Sequence, residues 1–191
     1  MTAPADRYTS VAIALHWLIA FMVIGQLAGG LFMRNLLNEQ AELKFELFQW
    51  HNSFGITVLL LTLVRLGWRL THKPPPLPPA MPGWEKLAAR VSHAGFYVLL
   101  LVIPLVGWLI VSSSPFADSV QTYLFGVVHW PHLPFFDGVA DRKALSHNFA
   151  EVHEYLGFAM IGLIGLHVLA ALKHHFVDDD SVLGHMIPFV R

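Results

Sequence analysis

The sequence contains no cysteine at all. The chain therefore forms no disulfide bond, holds no iron–sulfur cluster through thiolates and has no Cys-x-x-Cys-His motif for covalent haem attachment. Any redox group that the chain carries must be held by other side chains.

Charged residues are also scarce. They make up 13% of the 191 residues, against 55% hydrophobic residues, whereas a soluble domain carries about a quarter charged residues. The charges cluster between long apolar runs, which is typical of a protein that crosses a membrane several times. The length favours a single domain covering residues 1–191.

Four apolar runs are long enough to span a bilayer as helices, which takes about 20 residues. They cover residues 11–33, 47–70, 92–112 and 150–172. Pro104 and the internal glycines do not exclude these spans, because membrane helices tolerate helix-breaking residues. The first run is long for the apolar core of a secretion signal, and no small-residue cleavage site follows it. We therefore predict an all-α integral membrane four-helix bundle that retains its first helix.

The basic residues indicate the orientation of this bundle. Cytoplasmic connections are enriched in lysine and arginine. If both termini lie on one side, eight of the twelve fall there and four on the other. We therefore predict that both termini are cytoplasmic. The longest external connection, residues 113–149, is rich in aromatic residues, and we expect it to form a short interfacial helix or a hairpin on the membrane surface.

Histidine is unusually frequent, with twelve residues. Seven lie near span ends or in the external connection, where interfacial polar residues are common. The other five lie within or just inside predicted spans: His16, His51, His93, His153 and His167. An ionisable residue inside a membrane span indicates a functional site by default. One such histidine could simply bond to a neighbouring backbone, but five together favour a bound group.

The spacing of two of these histidines separates two sites. His153 and His167 are fourteen residues apart, so they differ in depth by about 21 Å and project from nearly one helix face. The direction of each span then pairs His51 with His153 on the external side and His16 with His167 on the cytoplasmic side. Two bis-histidine sites stacked across a membrane suit two haems b. Zinc or copper would usually recruit a carboxylate, a thiol or a third histidine at closer spacing.

Two glycines support the haem interpretation. The segments HNSFG and HEYLG place Gly55 and Gly157 one turn after a proposed ligand. A missing side chain there leaves room for a flat macrocycle, although small residues also serve ordinary helix packing.

At these residues the chain resembles the bacterial cytochrome b561 family, which is related to the cytochrome b subunits of nickel hydrogenases and formate dehydrogenases. The matching stretches include ALHWLIAFMVIGQ, WHNSFGITVLLLTLVRLGWR and EVHEYLGFAMIGLIGLHVLAALKHH. The resemblance implies a bacterial inner-membrane bundle that binds two haems b and moves electrons between quinone and a second partner. Carried onto this sequence, it implies four iron ligands: His16, His51, His153 and His167.

The resemblance leaves the role of His93 open. The family carries a histidine at this place, which could replace His16 as an axial ligand or could bind a haem propionate or a quinone headgroup. Arg65, Arg69 and Arg90 are predicted at the same depth, and arginine forks suit the carboxylates of propionates. Anchoring of the cytoplasmic side explains these arginines nearly as well.

Several functions remain compatible with such a site. Bis-histidine ligation leaves no open iron position, so oxygen or peroxide chemistry at iron is not expected. Some family members oxidise superoxide outside and reduce ubiquinone, but the external segments 33–49 and 113–149 are each net negative by one, so no basic funnel attracts an anion. The chain could instead anchor a periplasmic redox protein, or transport metal ions without haem. The expected partners are lipid and quinone, and the chain is not expected to bind nucleic acid.

Overall fold

Four long α-helices dominate the computed structural model, which describes residues 7–36 and 40–187. They are α1 (Ser10–Arg34), α2 (Ala41–Thr71), α3 (Gly83–Ser113) and α4 (Arg142–Phe176). Each one is long and apolar enough to cross a bilayer. The predicted all-α four-helix membrane bundle is therefore confirmed, while the cytoplasmic placement of the termini stays a prediction.

The helices extend beyond the predicted spans at several ends. The Asp141 carboxylate accepts a hydrogen bond from the Ala144 N–H at 2.9 Å, so α4 begins well before residue 150. Such a cap satisfies one of the free N–H groups of the first turn. In α1, the Thr9 hydroxyl accepts from the Ala12 N–H in the same way. Hydropathy alone misses the polar start of α4 because it lies outside the apolar run, whereas α1 begins within one residue of its predicted span.

The interior of the bundle is small. Its centre contains Ile19 and Val23 of α1, Val58 of α2 and Met160 of α4, with Met160 only 2% exposed. Many large apolar side chains point outward instead, such as Phe21 at 67% and Leu70 at 80% exposure. An apolar exterior of this kind is expected where lipid tails surround the helices.

The connection between α3 and α4 contains a hairpin, which is one of the two structures predicted for it. Strands β1 (Thr122–Leu124) and β2 (Val128–Trp130) are antiparallel, with Thr122 opposite Trp130. Phe125 and Gly126 in the turn both have positive φ, at 53° and 71°, which suits the twist of a tight hairpin. The Phe125 N–H donates to the Ser53 hydroxyl at 2.9 Å, so the hairpin is tied to α2.

Candidate functional site

The five span histidines form two separate groups in the bundle. His51 of α2 and His153 of α4 face each other, with ring centres 6.0 Å apart and planes at 70°. We call these two residues the histidine pair. His16 of α1, His93 of α3 and His167 of α4 meet at the other level, and we call them the three-histidine cluster. The groups lie about 21 Å apart along α4.

The ring spacing within both groups suits an ion between two imidazoles. A metal–imidazole bond is about 2.0–2.1 Å long, so two rings on opposite sides of one ion have centres roughly 6–6.5 Å apart. His51 and His153 meet this at 6.0 Å. His16 and His167 meet it at 6.4 Å. The depth pairing inferred from the sequence therefore corresponds to side chains that face each other.

Hydrogen bonding around the histidine pair also resembles that of a ligand set. The Nδ1 of His153 lies 3.0 Å from the Ile103 carbonyl oxygen and donates to it when the ring is in its Nδ1–H form. Metal-bound histidines usually donate their second nitrogen in this way, which fixes the ring and exposes Nε2 to the metal. The Nδ1 of His51 is buried and has no hydrogen-bond partner among the described residues. Such an orphaned nitrogen points to a group that belongs in the site.

A cavity of about 340 Å³ surrounds the histidine pair, and four glycines from all four helices line it. A Cβ on Gly107 would lie 3.3 Å from the His153 ring, and one on Gly30 would lie 3.7 Å from the His51 ring. The predicted Gly55 and Gly157 line the same cavity, where added Cβ atoms would meet Gln26 at 3.3 Å and Leu27 at 3.9 Å. An apolar cavity that is kept open by glycines and contains two facing imidazoles fits a haem.

The three-histidine cluster offers two partners for His167. The centre of the His93 ring lies 5.9 Å from that of His167, close to the 6.4 Å that separates His16 and His167. The Phe96 ring also packs edge-on against His167 at 5.2 Å. The geometry is therefore compatible with either His16 or His93 opposite His167, the same two options that the sequence leaves open.

The three predicted arginines differ in how close they come to this cluster. Arg65 donates from Nη1 to the Ala12 carbonyl oxygen at 2.8 Å, and its Nη2 lies 3.5 Å from the Nδ1 of His16. Arg69 stands 5.8 Å from the centre of the Tyr97 ring. Arg90 is exposed on α3, about one turn before His93. Arg65 is therefore the arginine that the fold brings into direct contact with a cluster histidine.

The sequence interpretation missed a polar cluster at the same end of the bundle. Glu85, in the first turn of α3, is only 9% exposed, and its Oε1 accepts from Lys173 Nζ at 2.6 Å. The Nδ1 of His174 lies 2.8 Å from Asp180 and 3.0 Å from Asp178. These contacts tie the start of α3 to the end of α4 and the tail. The buried His174 was predicted only as an interfacial residue, because its acidic partners are distant in sequence or beyond the span.

The comparisons with known proteins agree with this geometry. Long apolar helices that carry histidine rings at two levels fit a membrane cytochrome of the b type. The chain belongs to the prokaryotic cytochrome b561 family, whose model matches residues 7–189. It is therefore a multi-pass bacterial membrane protein that binds b-type haem and transfers electrons.

Three relatives match this chain over nearly its whole length. Cytochrome b561 homolog 2 of Escherichia coli is 34% identical over 97% of this chain and 94% of that protein. Cytochrome b561 homolog 1 of the same organism is 27% identical over 96% of this chain and 98% of that protein. A probable superoxide oxidase CybB of Yersinia pestis is 28% identical over 97% of this chain and 98% of that protein. The match thus covers all four helices.

Proposed function

We propose that the chain binds two haems b, one between His51 and His153 and one between His16 and His167. The observation that carries this proposal is the spacing of the facing rings, 6.0 Å in one group and 6.4 Å in the other. The groups are about 21 Å apart, a large part of the roughly 30 Å hydrocarbon layer. We place both termini in the cytoplasm and the protein in the bacterial inner membrane.

Haem supplies reversible one-electron chemistry at its iron, and the chain supplies ligands, space and charge around it. Two histidines per site would hold the iron and would leave no position open to oxygen, which favours electron transfer. Gly30, Gly55, Gly107 and Gly157 hold the cavity open at the histidine pair.

We further propose that the three-histidine cluster exchanges electrons with quinone. His93 is not needed as a ligand if His16 takes that role, so its ring is available to a quinone headgroup or a propionate. The Nη2 of Arg65 lies 3.5 Å from the Nδ1 of His16 in the same cluster, and a cation there favours an anionic partner such as a carboxylate or a reduced quinone oxygen. The purified oxidised protein should then be reduced by a short-chain quinol, and His93→Ala should slow this reduction without loss of haem.

Superoxide oxidation is a second candidate, favoured by the name of the Yersinia pestis relative. The charges on the external side give little support to the attraction of an anion such as superoxide. Two cations of the external side are engaged with carboxylates: Arg34 with Glu154, and Arg142 with Asp118 and Asp137. The test is to generate superoxide enzymatically and follow haem reduction in the purified protein. Reduction that added superoxide dismutase abolishes supports this donor, whereas haem that stays oxidised rejects it.

The membrane-anchor alternative makes a different prediction. An anchor subunit would copurify with a periplasmic redox protein in stoichiometric amounts. A chain that is isolated alone and still oxidises quinol with an added electron acceptor functions without such a partner.

A further inference from the structure

An ion pair stands at the rim of the cavity that contains the histidine pair. The guanidinium of Arg34, in the last turn of α1, donates to the carboxylate of Glu154, the residue that follows His153 on α4. Both side chains line the cavity. They are 58% and 44% exposed, so they lie where the cavity meets the outside rather than in its apolar interior.

The charge of this cavity is confined to its rim. Among the described residues that line it, Arg34 is the one arginine or lysine and Glu154 is the one acidic residue. The remaining lining is apolar or uncharged apart from the two imidazoles. Haem has a flat apolar macrocycle with two propionate carboxylates at one edge. A carboxylate next to an apolar cavity is costly unless a cation pairs with it.

We infer that Arg34 anchors a propionate of the haem held by His51 and His153. The inference rests on the proposed function, since it presupposes haem at the histidine pair. The guanidinium has five N–H donors in a planar fork, and its one bond within the described residues, to Glu154, is made by Nη1. The other donors remain geometrically able to serve a second carboxylate. A propionate of a haem bound at the histidine pair would then lie at the rim, beside this guanidinium.

Arg34 and Glu154 could instead serve only as an ion pair between α1 and α4. Two variants distinguish this role from propionate binding. Arg34→Gln removes the guanidinium, and Glu154→Gln breaks the same ion pair but leaves Arg34 in place. If the pair served only to hold α1 against α4, both variants would change haem binding alike. If Arg34 binds a propionate, only Arg34→Gln should weaken the binding of haem.

The experiment uses the full-length protein purified without haem, in a His167→Ala background that leaves the histidine pair as the one proposed haem site. Each variant is titrated with protohaem IX and with its dimethyl ester, in which both propionates are uncharged. We expect the parent to prefer protohaem by about tenfold or more, as for the loss of a charge-assisted hydrogen bond. Glu154→Gln should keep this preference, Arg34→Lys should keep part of it, and Arg34→Gln should lose it.

Two results overturn the inference. Either Arg34→Gln discriminates between haem and its ester as strongly as the parent does, or the parent binds both equally. A parent that binds neither, although its circular dichroism shows the helices intact, contradicts the proposed haem site itself. The failure of this inference is therefore distinguishable from the failure of the proposed function. A haem-loaded sample gives a second readout, since Arg34→Gln should release haem to apomyoglobin faster than Glu154→Gln does.

Discussion

Gly107 of α3 lies against the imidazole of His153 on α4, and a Cβ at residue 107 would come within 3.3 Å of the ring carbon Cε1. The same imidazole is held by the carbonyl oxygen of Ile103, one turn earlier on α3. One face of α3 thus both orients His153 and leaves space beside it. This contact between α3 and α4 therefore leaves the space that a haem at the histidine pair would need.

Filling this space should remove one haem and leave the other. Gly107→Leu places a branched side chain where the His153 ring and the macrocycle meet, and we expect the haem content to fall from two to one per chain. The haem content is measured by the pyridine haemochrome assay against protein concentration.

Gly162→Leu is the matched control, since it introduces the same side chain on α4 at a glycine with no atom within 4 Å of an added Cβ. It should keep two haems. Equal haem loss in both variants would show that the effect is a general disturbance of the bundle.

The histidine pair should behave as one site. His51→Ala and His153→Ala should each lose one haem, and the double variant should lose no more than either single variant, because a haem at this site would need both histidines. His129→Ala, in strand β2 of the hairpin between α3 and α4, is the control that should keep both haems. Additive losses in the double variant would mean that the two residues serve different haems.

The partner of His167 in the three-histidine cluster can be tested directly. We expect His16→Ala and His167→Ala to lose the second haem, and His93→Ala to keep two haems while its reduction by quinol slows. The haem content and the rate of quinol reduction are measured on the same preparation. Loss of a haem in His93→Ala, with both retained in His16→Ala, would make His93 the partner of His167.

The polar cluster at the ends of α3 and α4 should contribute to stability. Glu85→Ala removes the carboxylate that bonds to Lys173 and leaves His174 with only the tail aspartates. We expect a lower midpoint of thermal unfolding, followed by circular dichroism in detergent, because Glu85 is 9% exposed and removing one partner of a shielded ion pair is destabilising.

The exposed pair of His147 and Glu151 provides the comparison. Glu151→Ala should leave the unfolding midpoint nearly unchanged, since exposed ion pairs contribute little. If both glutamate variants unfold at the midpoint of the parent, the buried cluster does not stabilise the bundle.

Much of this fold follows from the sequence because a membrane imposes simple rules. Runs of about 20 apolar residues must form helices, and the 1.5 Å rise per residue converts a separation in sequence into a depth. That is why the pairs His51/His153 and His16/His167 could be proposed before the structure was known. In the structure the ring centres of these pairs lie 6.0 Å and 6.4 Å apart, while their role as ligands stays a prediction.

Contacts that depend on the rotation of one helix against another could not be predicted in this way. Neither Gly107 nor Gly30 lies within a turn of a proposed ligand in the sequence. Both become parts of the cavity only through the register of α3 and α4 and of α1 and α2. The burial of Glu85 and His174 likewise depends on the contact between the first turn of α3 and the last turn of α4. Such contacts leave no local pattern in the sequence.

The most direct test of the central claim is the haem content of the purified wild-type protein. A dithionite-reduced minus oxidised spectrum is recorded in detergent and combined with pyridine haemochrome quantitation. We predict a b-type α-band and two haems per chain. One haem per chain would contradict one of the two proposed histidine sites, and none in a folded, haem-supplied preparation would contradict both.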